Sequence, residues 1–378
     1  MIYLDYAATT PISDNSLEIY AKAAKHAFGN SNSLHDIGDV AARTLQASRK
    51  LISSIIGGNE KGLYFTSGGS EANILAIQSL LKGLHPEKNH LITSSIEHSS
   101  LYTFFKKLST EGYEVSFLEP NHKGQITEEI VKNALRANTG LVSIQHGNSE
   151  IGTVHQIEKI GPLLKVHGVL FHSDCVQTFG KLPINIEKAQ LDSISFSSHK
   201  IYGPKGIGAA YIHPSVYWQP VIPGTTHESG FRPGTVDVPA VAAFATAAKD
   251  ISAAMENNTE YYLGLRSKFI DFLKPYQDKI LLVNESMDPF LPNILPLLVD
   301  GIEGQYIMLE CNRFGFAIST GSACQVGMQA PSRSLLALGF DEHKAKQYIR
   351  ISIGTDTTEE QLKSFLHVLF NIVDNFKK

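Results

Sequence analysis

The chain has few of the features that mark disulfide-bonded, nucleic-acid-binding or membrane proteins. Its 378 residues include three cysteines and one tryptophan, and the formal net charge is −4. Three cysteines do not form a disulfide framework or a zinc ligand set, and they fit a reducing compartment. The acidic net charge leaves no basic footprint for nucleic acid. With no signal-peptide pattern and no apolar run of about 18 residues, we predict a soluble cytoplasmic protein without a nucleic-acid, membrane or metal partner.

The spacing of apolar residues predicts an α/β fold. Between about residues 63 and 213, short β-rich segments alternate with helical patterns. This alternation is typical of a mainly parallel, doubly wound sheet. Helical patterns over residues 238–274 then lead into strands and helices of a second, α+β arrangement. A chain of this length with 43% apolar residues can bury a large core and divide into two domains.

Lys200 is the most informative single residue. It follows an apolar segment, residues 192–196, and closes a run of small hydroxyl residues and a histidine. A lysine beside packed apolar surface can lose its proton more readily and form an imine with a carbonyl cofactor. That is the chemistry of pyridoxal phosphate (PLP). A lone lysine after a strand is usually a surface charge, so this interpretation needs further residues.

A second strand pattern supplies a carboxylate. Residues 169–173 predict a buried strand that ends at Asp174, and the carboxyl end of a strand is where open α/β sheets bind ligands. A carboxylate there can keep a pyridine nitrogen protonated, which makes the ring an electron sink. Gln177, three residues on, can hydrogen-bond the ring hydroxyl.

A glycine-rich turn adds a candidate phosphate site to Lys200 and Asp174. Residues 63–78 predict a strand, a turn containing Gly68 and Gly69, and a helix. Glycines let backbone amides approach an anion, and a helix N-terminus adds free N–H groups and a partial positive charge. The turn lacks the nucleotide P-loop ending and the dinucleotide three-glycine pattern, which favours a simple phosphate group.

Taken together, the motifs resemble those of the fold-type I PLP-dependent enzymes of the class V aminotransferase group, specifically the NifS/IscS-type cysteine desulfurases. The resemblance runs from end to end. It implies a large PLP-binding domain at residues 14–255 and a small domain formed by residues 1–13 and 256–378. The motifs that carry it are residues 3–11, 28–31, 66–71, 97–98, 148–152, 197–200, 232–235 and 321–324.

The resemblance also implies roles for individual residues. Lys200 binds the cofactor, Asp174 and Gln177 meet the ring nitrogen and oxygen, and His98 stacks on the ring. The phosphate is held by Gly69, Ser70, Ser197 and His199, joined by Thr235 from the second subunit of a homodimer. Arg350 binds the substrate carboxylate, with Asn30 as a further substrate contact. The family has two asparagines before Glu-Ile-Gly, whereas this chain has Asn148 and Ser149, so Ser149 takes the position of a cofactor contact.

Cys324 narrows the prediction from PLP-dependent enzymes in general to a cysteine desulfurase. It lies in a glycine-rich, polar segment with little apolar material to bury it, whereas Cys175 and Cys311 lie in apolar patterns and are interpreted as small buried residues. The resemblance implies that its thiolate takes sulfur from L-cysteine, leaving alanine and a persulfide on Cys324, with His98 carrying protons. The persulfide then passes to an acceptor protein, for iron–sulfur cluster or other thio-cofactor biosynthesis.

Three alternatives remain open from the sequence. A selenocysteine lyase would use the same residues and differ in its relative turnover of cysteine and selenocysteine. An ordinary class V aminotransferase would remain active without Cys324 when given a keto acid. A non-enzymatic binding subunit would leave the combination of Lys200, Asp174 and Cys324 unexplained. The sulfur acceptor is equally open, since scaffold proteins, transfer-RNA thiolation proteins and a single client enzyme all fit.

Overall fold

A computed structural model of the protein describes residues 1–321 and 331–376. The strands are β1 Ile2–Tyr3, β2 Leu63–Thr66, β3 His90–Ser94, β4 Glu114–Leu118, β5 Thr139–Ser143, β6 Leu170–Asp174, β7 Ser193–Ser197, β8 Gly208–Ile212, β9 Ile280–Leu282, β10 Ile294–Val299, β11 Phe316–Ala317 and β12 Tyr348–Ser352. The helices are α1 Asp14–His26, α2 Asp36–Ile55, α3 Gly69–Gly83, α4 Ser99–Thr110, α5 Glu128–Ala134, α6 Ile157–Val166, α7 Val238–Ala253, α8 Met255–Leu273, α9 Gly304–Arg313, α10 Arg333–Ala337, α11 Glu342–Ala345 and α12 Glu359–Asn375.

Seven strands form the main sheet, in the order β2-β8-β7-β6-β5-β3-β4. Strand β8 runs antiparallel to both of its neighbours, and the other pairings are parallel. Six of the strands, β2, β3 and β5 to β8, are buried or nearly buried along their whole length, as expected when helices cover both faces of a sheet. The predicted α/β fold with a mainly parallel, doubly wound sheet is therefore confirmed.

Sequence periodicity located most of these strands. Apolar spacing predicts strands at residues 90–94, 208–212 and 294–299, and β3, β8 and β10 have these bounds, whereas the strand predicted at residues 141–145 begins two residues earlier, at Thr139. The chain also forms α1 and α2, which the periodicity did not indicate. Both pack beside α7 over a cluster of small apolar residues that includes Ala23, Ala41 and Ala242. Both helices are amphipathic, so apolar periodicity could have located them.

The remaining strands form two small sheets near the chain ends. Strands β12, β10 and β9 form an antiparallel sheet, and β1 pairs in parallel with β11. One apolar cluster joins these elements to α8, α9 and α12, and it includes Leu4 from the N-terminal segment. The largest cluster instead spans Ile52 to Ile251 around the main sheet. On this distribution we propose the division into residues 14–255 and residues 1–13 with 256–378.

No helix within residues 1–321 and 331–376 is both long and apolar enough to cross a bilayer.

Candidate active site

A cleft of about 200 Å³ opens at the carboxyl ends of the parallel strands. Its walls come from segments that follow β2, β3, β5, β6 and β7, together with the N-terminal segment and β12. Ten residues predicted to form the site line it, namely Gly69, Ser70, His98, Ser149, Asp174, Gln177, Ser197, His199, Lys200 and Arg350. The carboxyl edge of an open α/β sheet is the usual place for a ligand, because the loops there diverge from the buried strands.

Lys200 lies at the end of a short turn that directly follows β7. Its amine Nζ lies 2.6 Å from the carbonyl oxygen of Ala7 and 2.8 Å from that of Ala8. These carbonyls are fixed in turn, because the Ala7 N–H donates to the Ser352 hydroxyl at 2.9 Å. The N-terminal segment therefore crosses the cleft and holds the lysine amine inside it.

Asp174 is held by hydrogen bonds on both of its carboxylate oxygens. Oδ1 accepts from the Val176 N–H at 2.9 Å, and Oδ2 accepts from the Asn73 amide at 2.8 Å. The Asn73 carbonyl accepts from His172 Nε2 at 3.1 Å, and His172 Nδ1 lies 3.0 Å from the Ser193 hydroxyl. Burial lowers the pKa of His172 to about 3, so this chain of contacts carries a neutral imidazole.

Gln177 and Ser197 each present an unpartnered polar atom. The Gln177 side-chain N–H donates to the Ala7 carbonyl at 3.0 Å, which leaves its buried Oε1 without a partner among the described residues. The buried hydroxyl of Ser197 also lacks one. Buried polar atoms are normally satisfied, so both atoms indicate a missing ligand. A ring hydroxyl beside Gln177 and a phosphate beside Ser197 fit PLP at these positions.

The phosphate end of the cleft is built on the N-terminus of α3. This helix starts at Gly69 without a side-chain cap, so its first N–H groups remain available to an anion. A Cβ at Gly69 would lie 2.6 Å from a Val176 methyl, so the close approach of the two segments requires glycine. His199 lines the same cleft, and burial, assisted by the charge of Lys200, lowers its pKa to about 4. It therefore meets a ligand as a neutral imidazole.

His98 and Glu97 lie at the start of α4. His98 Nδ1 accepts from the Ser100 N–H at 3.3 Å, which places the proton of the neutral ring on Nε2. The Glu97 carboxyl is buried beneath it, and its Oε1 accepts from the Ser94 hydroxyl and the Gln145 N–H at 2.7 and 2.9 Å. Burial raises the pKa of Glu97 to about 8, so at neutral pH the carboxyl is mostly protonated.

Arg350 projects from β12 into the far end of the cleft. Its Nη2 pairs with Asp5 at 2.8 Å, and its Nη1 donates to the Ser149 carbonyl at 2.9 Å. Burial opposes the charge, but the ion pair with Asp5 raises the pKa of Arg350 above its ordinary value. The buried Nε has no partner among the described residues. The guanidinium is thus fixed in place with donor capacity left for a carboxylate.

Three predicted site residues do not line this cleft. Asn30 and Thr235 are exposed and lie outside it. Cys324 lies outside the residues that the structure describes. The other two cysteines, Cys175 and Cys311, are fully buried, and burial raises the pKa of each thiol to about 12. Neither can act as a thiolate nucleophile at neutral pH.

Sequence reasoning missed several residues that build the cleft. Asn73 and Gln145 line it, Glu97 underlies it, and Asp5 fixes Arg350. Asn73 is one turn into α3 and is buried. The signal that could have identified it is a polar residue on the buried face of that helix.

Comparison with known proteins identifies the family. The family model described as "Aminotransferase class-V" matches residues 2–365 of this chain. The chain belongs to this family. Members of the class V aminotransferase family use PLP, which agrees with the unpartnered atoms of Gln177 and Ser197 and with the open helix N-terminus.

Individual relatives cover nearly the whole chain. It is 49% identical over 379 aligned positions to "Putative cysteine desulfurase NifS" of Bacillus subtilis (strain 168), covering 100% of this chain and 96% of that protein. It is 37% identical over 366 positions to "Cysteine desulfurase IscS" of Histophilus somni (strain 2336), covering 96% and 90%. Among solved structures, "NIFS-LIKE PROTEIN" matches with a TM-score of 0.92 at 29% identity, covering 99% and 100% of the two chains. "SspA in complex with cysteine" matches with a TM-score of 0.82 at 33% identity, covering 93% and 99%.

Proposed function

We propose that this class V aminotransferase family member is a PLP-dependent cysteine desulfurase, which removes sulfur from L-cysteine and releases L-alanine. The observation that carries the proposal is the convergence of ten predicted residues on one cleft, with unpartnered polar atoms at Ser197, Gln177 and Arg350. The relatives named cysteine desulfurase support the choice of reaction, and the neighbour solved with cysteine supports the choice of substrate.

The cleft residues hold the cofactor in the following way. Lys200 supplies the amine that bonds the cofactor aldehyde, and Asp174 meets the pyridine nitrogen with a carboxylate oriented by Asn73 and Val176. The α3 N-terminus at Gly69 and Ser70, together with Ser197 and His199, binds the phosphate. When bound, PLP supplies an electron sink that stabilises negative charge at the substrate α-carbon. His98 packs on the ring, and Gln177 accepts a hydrogen bond from the ring hydroxyl.

The substrate side of the cleft is set by Arg350 and Ser149. The buried guanidinium of Arg350, held by Asp5, binds the cysteine carboxylate and fixes the direction in which the side chain points. Ser149, on the wall of the same cleft, contacts the cofactor or substrate through its hydroxyl, with a bridging water where its reach is shorter than that of asparagine. His98, with the neutral-ring proton on Nε2, moves protons near the substrate sulfur.

Cys324 is the proposed sulfur acceptor within the protein. As the S–S bond to its thiolate forms, the C–S bond of cysteine breaks, and the electron pair stays with carbon, which gains a proton to become alanine. The described chain on either side of residues 322–330 borders the cleft. Ser319 pairs with Arg350 through two backbone hydrogen bonds, and the Arg333 guanidinium donates to the Glu97 carbonyl at 3.0 Å. Those two anchor points support a role for Cys324 at this cleft.

We further propose a homodimer in which Thr235 of each subunit completes the phosphate site of the other. Thr235 is exposed and lies outside the cleft of its own chain. An apolar surface formed by Phe28, Leu34, Ile37 and Val40 is exposed, with Leu34 fully accessible and Phe28 64% exposed. Large apolar side chains exposed within one short segment favour contact with another protein, and a second copy would cover them.

The homodimer has a direct test in mixed subunits. Lys200→Ala and Thr235→Ala proteins, each weak in PLP binding, should regain one normal PLP site per heterodimer when mixed. That site joins Lys200 of one subunit to Thr235 of the other. Mixing without any gain in PLP affinity would contradict the shared site, and light scattering gives the oligomeric state independently.

The persulfide on Cys324 would pass to an acceptor protein, for iron–sulfur cluster or other thio-cofactor assembly in the cytoplasm. Isotopically labelled cysteine, added to a native lysate, should place labelled persulfide on Cys324 and then on that acceptor. Label that stays on Cys324 and reaches no other protein would contradict the transfer step.

The reaction itself is tested by supplying L-cysteine to the purified holoprotein. Alanine should form, and mass spectrometry without reductant should find an added sulfur on the Cys324 peptide. Cys324→Ser should bind cysteine but release almost no alanine, because a hydroxyl cannot hold a persulfide. Cys311→Ala serves as the matched control. It should remain active, because Cys311 lies in the apolar cluster that joins the small sheets to α8, α9 and α12.

Two outcomes would point to a different reaction. Normal alanine release by Cys324→Ser, together with activity on a keto acid, would indicate an ordinary aminotransferase. A strong preference for selenocysteine over cysteine would indicate a selenocysteine lyase. Either result would replace the proposed reaction without affecting the PLP site.

A further inference from the structure

Lys200 also lines a second, smaller cavity. This cavity, which has room for about one water molecule, lies between the N-terminal segment, the start of α8 and the segment that follows β7. Its polar walls come from Tyr6, Thr10, Lys181, Tyr202, Asn258, Thr259, Tyr262 and Asn293. Lys181 is thus the second lysine facing the same small space.

The ammonium group of Lys181 has no hydrogen-bond or ion-pair partner within residues 1–321 and 331–376, although its backbone N–H donates to the Thr178 carbonyl at 2.9 Å. Burial lowers the pKa of Lys181 to about 8, and the charge of Arg350 lowers it further. The protonated form still predominates at neutral pH. A cation is therefore held in this wall without an anion to balance it.

The titratable groups that line the cavity do not balance the charge of Lys181. The N-terminal segment contributes Tyr6, and α8 contributes Tyr262, and burial raises the pKa of both phenols, so they are neutral. Asp356 acts on these two tyrosines but is not among the charges that act on Lys181. The buried Asn258 amide nitrogen, also without a partner, is a donor. No carboxylate among the described residues lines the cavity.

The positive charges around Lys181 each make a neighbouring group harder to protonate. Lys200 shares its cavity, Arg350 acts on it, and the charge of Lys181 itself helps to lower the pKa of His199. Lys181 is half-buried, and a partly desolvated cation without an ion-pair partner costs some stability, whereas an apolar side chain of similar length would fill the same volume without that cost. Packing alone therefore does not explain a lysine at this position.

We propose that Lys181 is a positioning residue for Lys200, whose uncompensated positive charge disfavours the protonated amine of Lys200 and so favours the neutral amine that bonds the cofactor aldehyde. The inference rests on the proposed PLP function. A cation beside an amine in a small, partly dry space disfavours protonation of that amine, and a neighbouring cation is a known means of activating a lysine nucleophile.

The test follows PLP uptake by the full-length protein stripped of cofactor, monitored by the visible absorbance that PLP acquires on bonding to Lys200. The uptake rate should rise with pH as the Lys200 amine loses its proton. Lys181→Met should move the midpoint of that rise upward by about one pH unit, as expected for one nearby charge at intermediate dielectric. Well above pH 8 the two rates should converge, because Lys181 itself is then neutral.

Two further variants separate charge from shape. Lys181→Arg keeps the cation and should retain a midpoint near that of the wild type. Lys205→Met removes an exposed cation that also acts on His199, and it should leave the midpoint unchanged because solvent screens that charge. Thermal unfolding of Lys181→Met should show stability at least equal to that of the wild type, which confirms that the variant is folded.

Two results would overturn the inference alone. One is an unchanged midpoint in folded Lys181→Met, and the other is an equal shift in Lys181→Arg and Lys181→Met, which would indicate a packing role. If no variant acquires the absorbance, the wild type included, the proposed PLP function fails and this inference fails with it.

Discussion

The two ends of the cleft are prepared for a ligand in different ways. At the pyridine end, Asp174 accepts hydrogen bonds on both oxygens, and the Asn73–His172–Ser193 chain of contacts behind it lies entirely within the protein. At the phosphate end, the Ser197 hydroxyl and the first N–H groups of α3 have no partner among the described residues, and Thr235 lies outside the cleft. The fold completes one end by itself and leaves the other for the ligand and a second subunit.

The difference follows from what each end has to do. A carboxylate that tunes a ring nitrogen needs a fixed position and a fixed charge, and internal hydrogen bonds supply both. A phosphate arrives with its own charge and acceptors, so donors that wait unpaired can bind it without first giving up an internal partner. Changes at the pyridine end should therefore reduce the rate, and changes at the phosphate end should reduce cofactor affinity.

The largest effect is expected from Asp174→Asn. Loss of the carboxylate should lower alanine formation at least about 100-fold at saturating PLP, since the ring is then a poorer electron sink. PLP occupancy, measured by absorbance, should fall far less. If rate and occupancy fall in equal proportion, Asp174 is an anchor and the contrast between the two ends is lost.

A double variant sharpens that test. Asp174→Asn combined with Asn73→Asp keeps a carboxylate–amide pair but moves the charge one position away from the ring. The double variant should remain as slow as the single one, because the charge at position 174 is what matters. Recovery of the rate would show that the hydrogen bond is the important feature.

Glu97→Gln should change stability in a pH-dependent way. The folded pKa of Glu97 is about 8 against an ordinary 4.5, so the folded protein holds a proton that the unfolded chain releases between these values. Stability is therefore lost as pH rises through this window, and the neutral glutamine escapes that loss. The free energy of unfolding of Glu97→Gln should exceed that of the wild type by an amount that grows to a few kcal/mol by about pH 8.

The measurement is chemical denaturation of both proteins at several pH values across that window. Glu119→Gln, a change at an exposed carboxylate on the same side of the sheet, is the matched control and should follow the wild type. A constant difference between Glu97→Gln and the wild type at all pH values would show that Glu97 is ionised in the folded protein.

Several individual residues at the two ends of the cleft could be predicted from the sequence. Lys200, Asp174 and Gly69 follow strands, and the alternating pattern already places strand ends at one edge of a sheet, so their convergence could be predicted. The residues that orient these side chains could not be predicted from the sequence. Asn73 and Asp5 act across 101 and 345 residues of chain, and contacts at such separations depend on the folded arrangement and leave no local pattern.

Other parts of the site leave no pattern in the sequence. The exposed positions of Asn30 and Thr235 have no counterpart in hydrophobic periodicity, since their proposed roles require a second subunit or a substrate. The raised pKa of Glu97 is likewise invisible in sequence, because it arises from burial under α4 and the β5 edge. The role of Cys324 remains a prediction.

Ser197→Ala compares the two ends directly. It removes one hydroxyl donor to a charged phosphate, so PLP affinity should fall about tenfold, while the rate at saturating PLP changes little. The stability of the cofactor-free protein should be unchanged, because the hydroxyl has no internal partner to lose. Asn73→Ala should instead destabilise the cofactor-free protein by about 1–3 kcal/mol, since Asp174 and His172 each lose a partner. Equal losses of stability would remove the distinction between the two ends.

The smallest effect is expected from Ser149→Asn, which restores the family pattern at a position between the two ends. Ser149 lines the cleft, and its carbonyl already accepts from Arg350, so the backbone there is fixed whichever side chain is present. A longer amide can reach the ligand directly and replace a bridging water, which changes the free energy of binding by about 0–2 kcal/mol. Steady-state kinetics with L-cysteine should therefore show unchanged or modestly raised activity. A severe loss would show that the surrounding pocket accepts only the smaller serine, and that this region is built to fit its side chain as closely as the pyridine end fits Asp174.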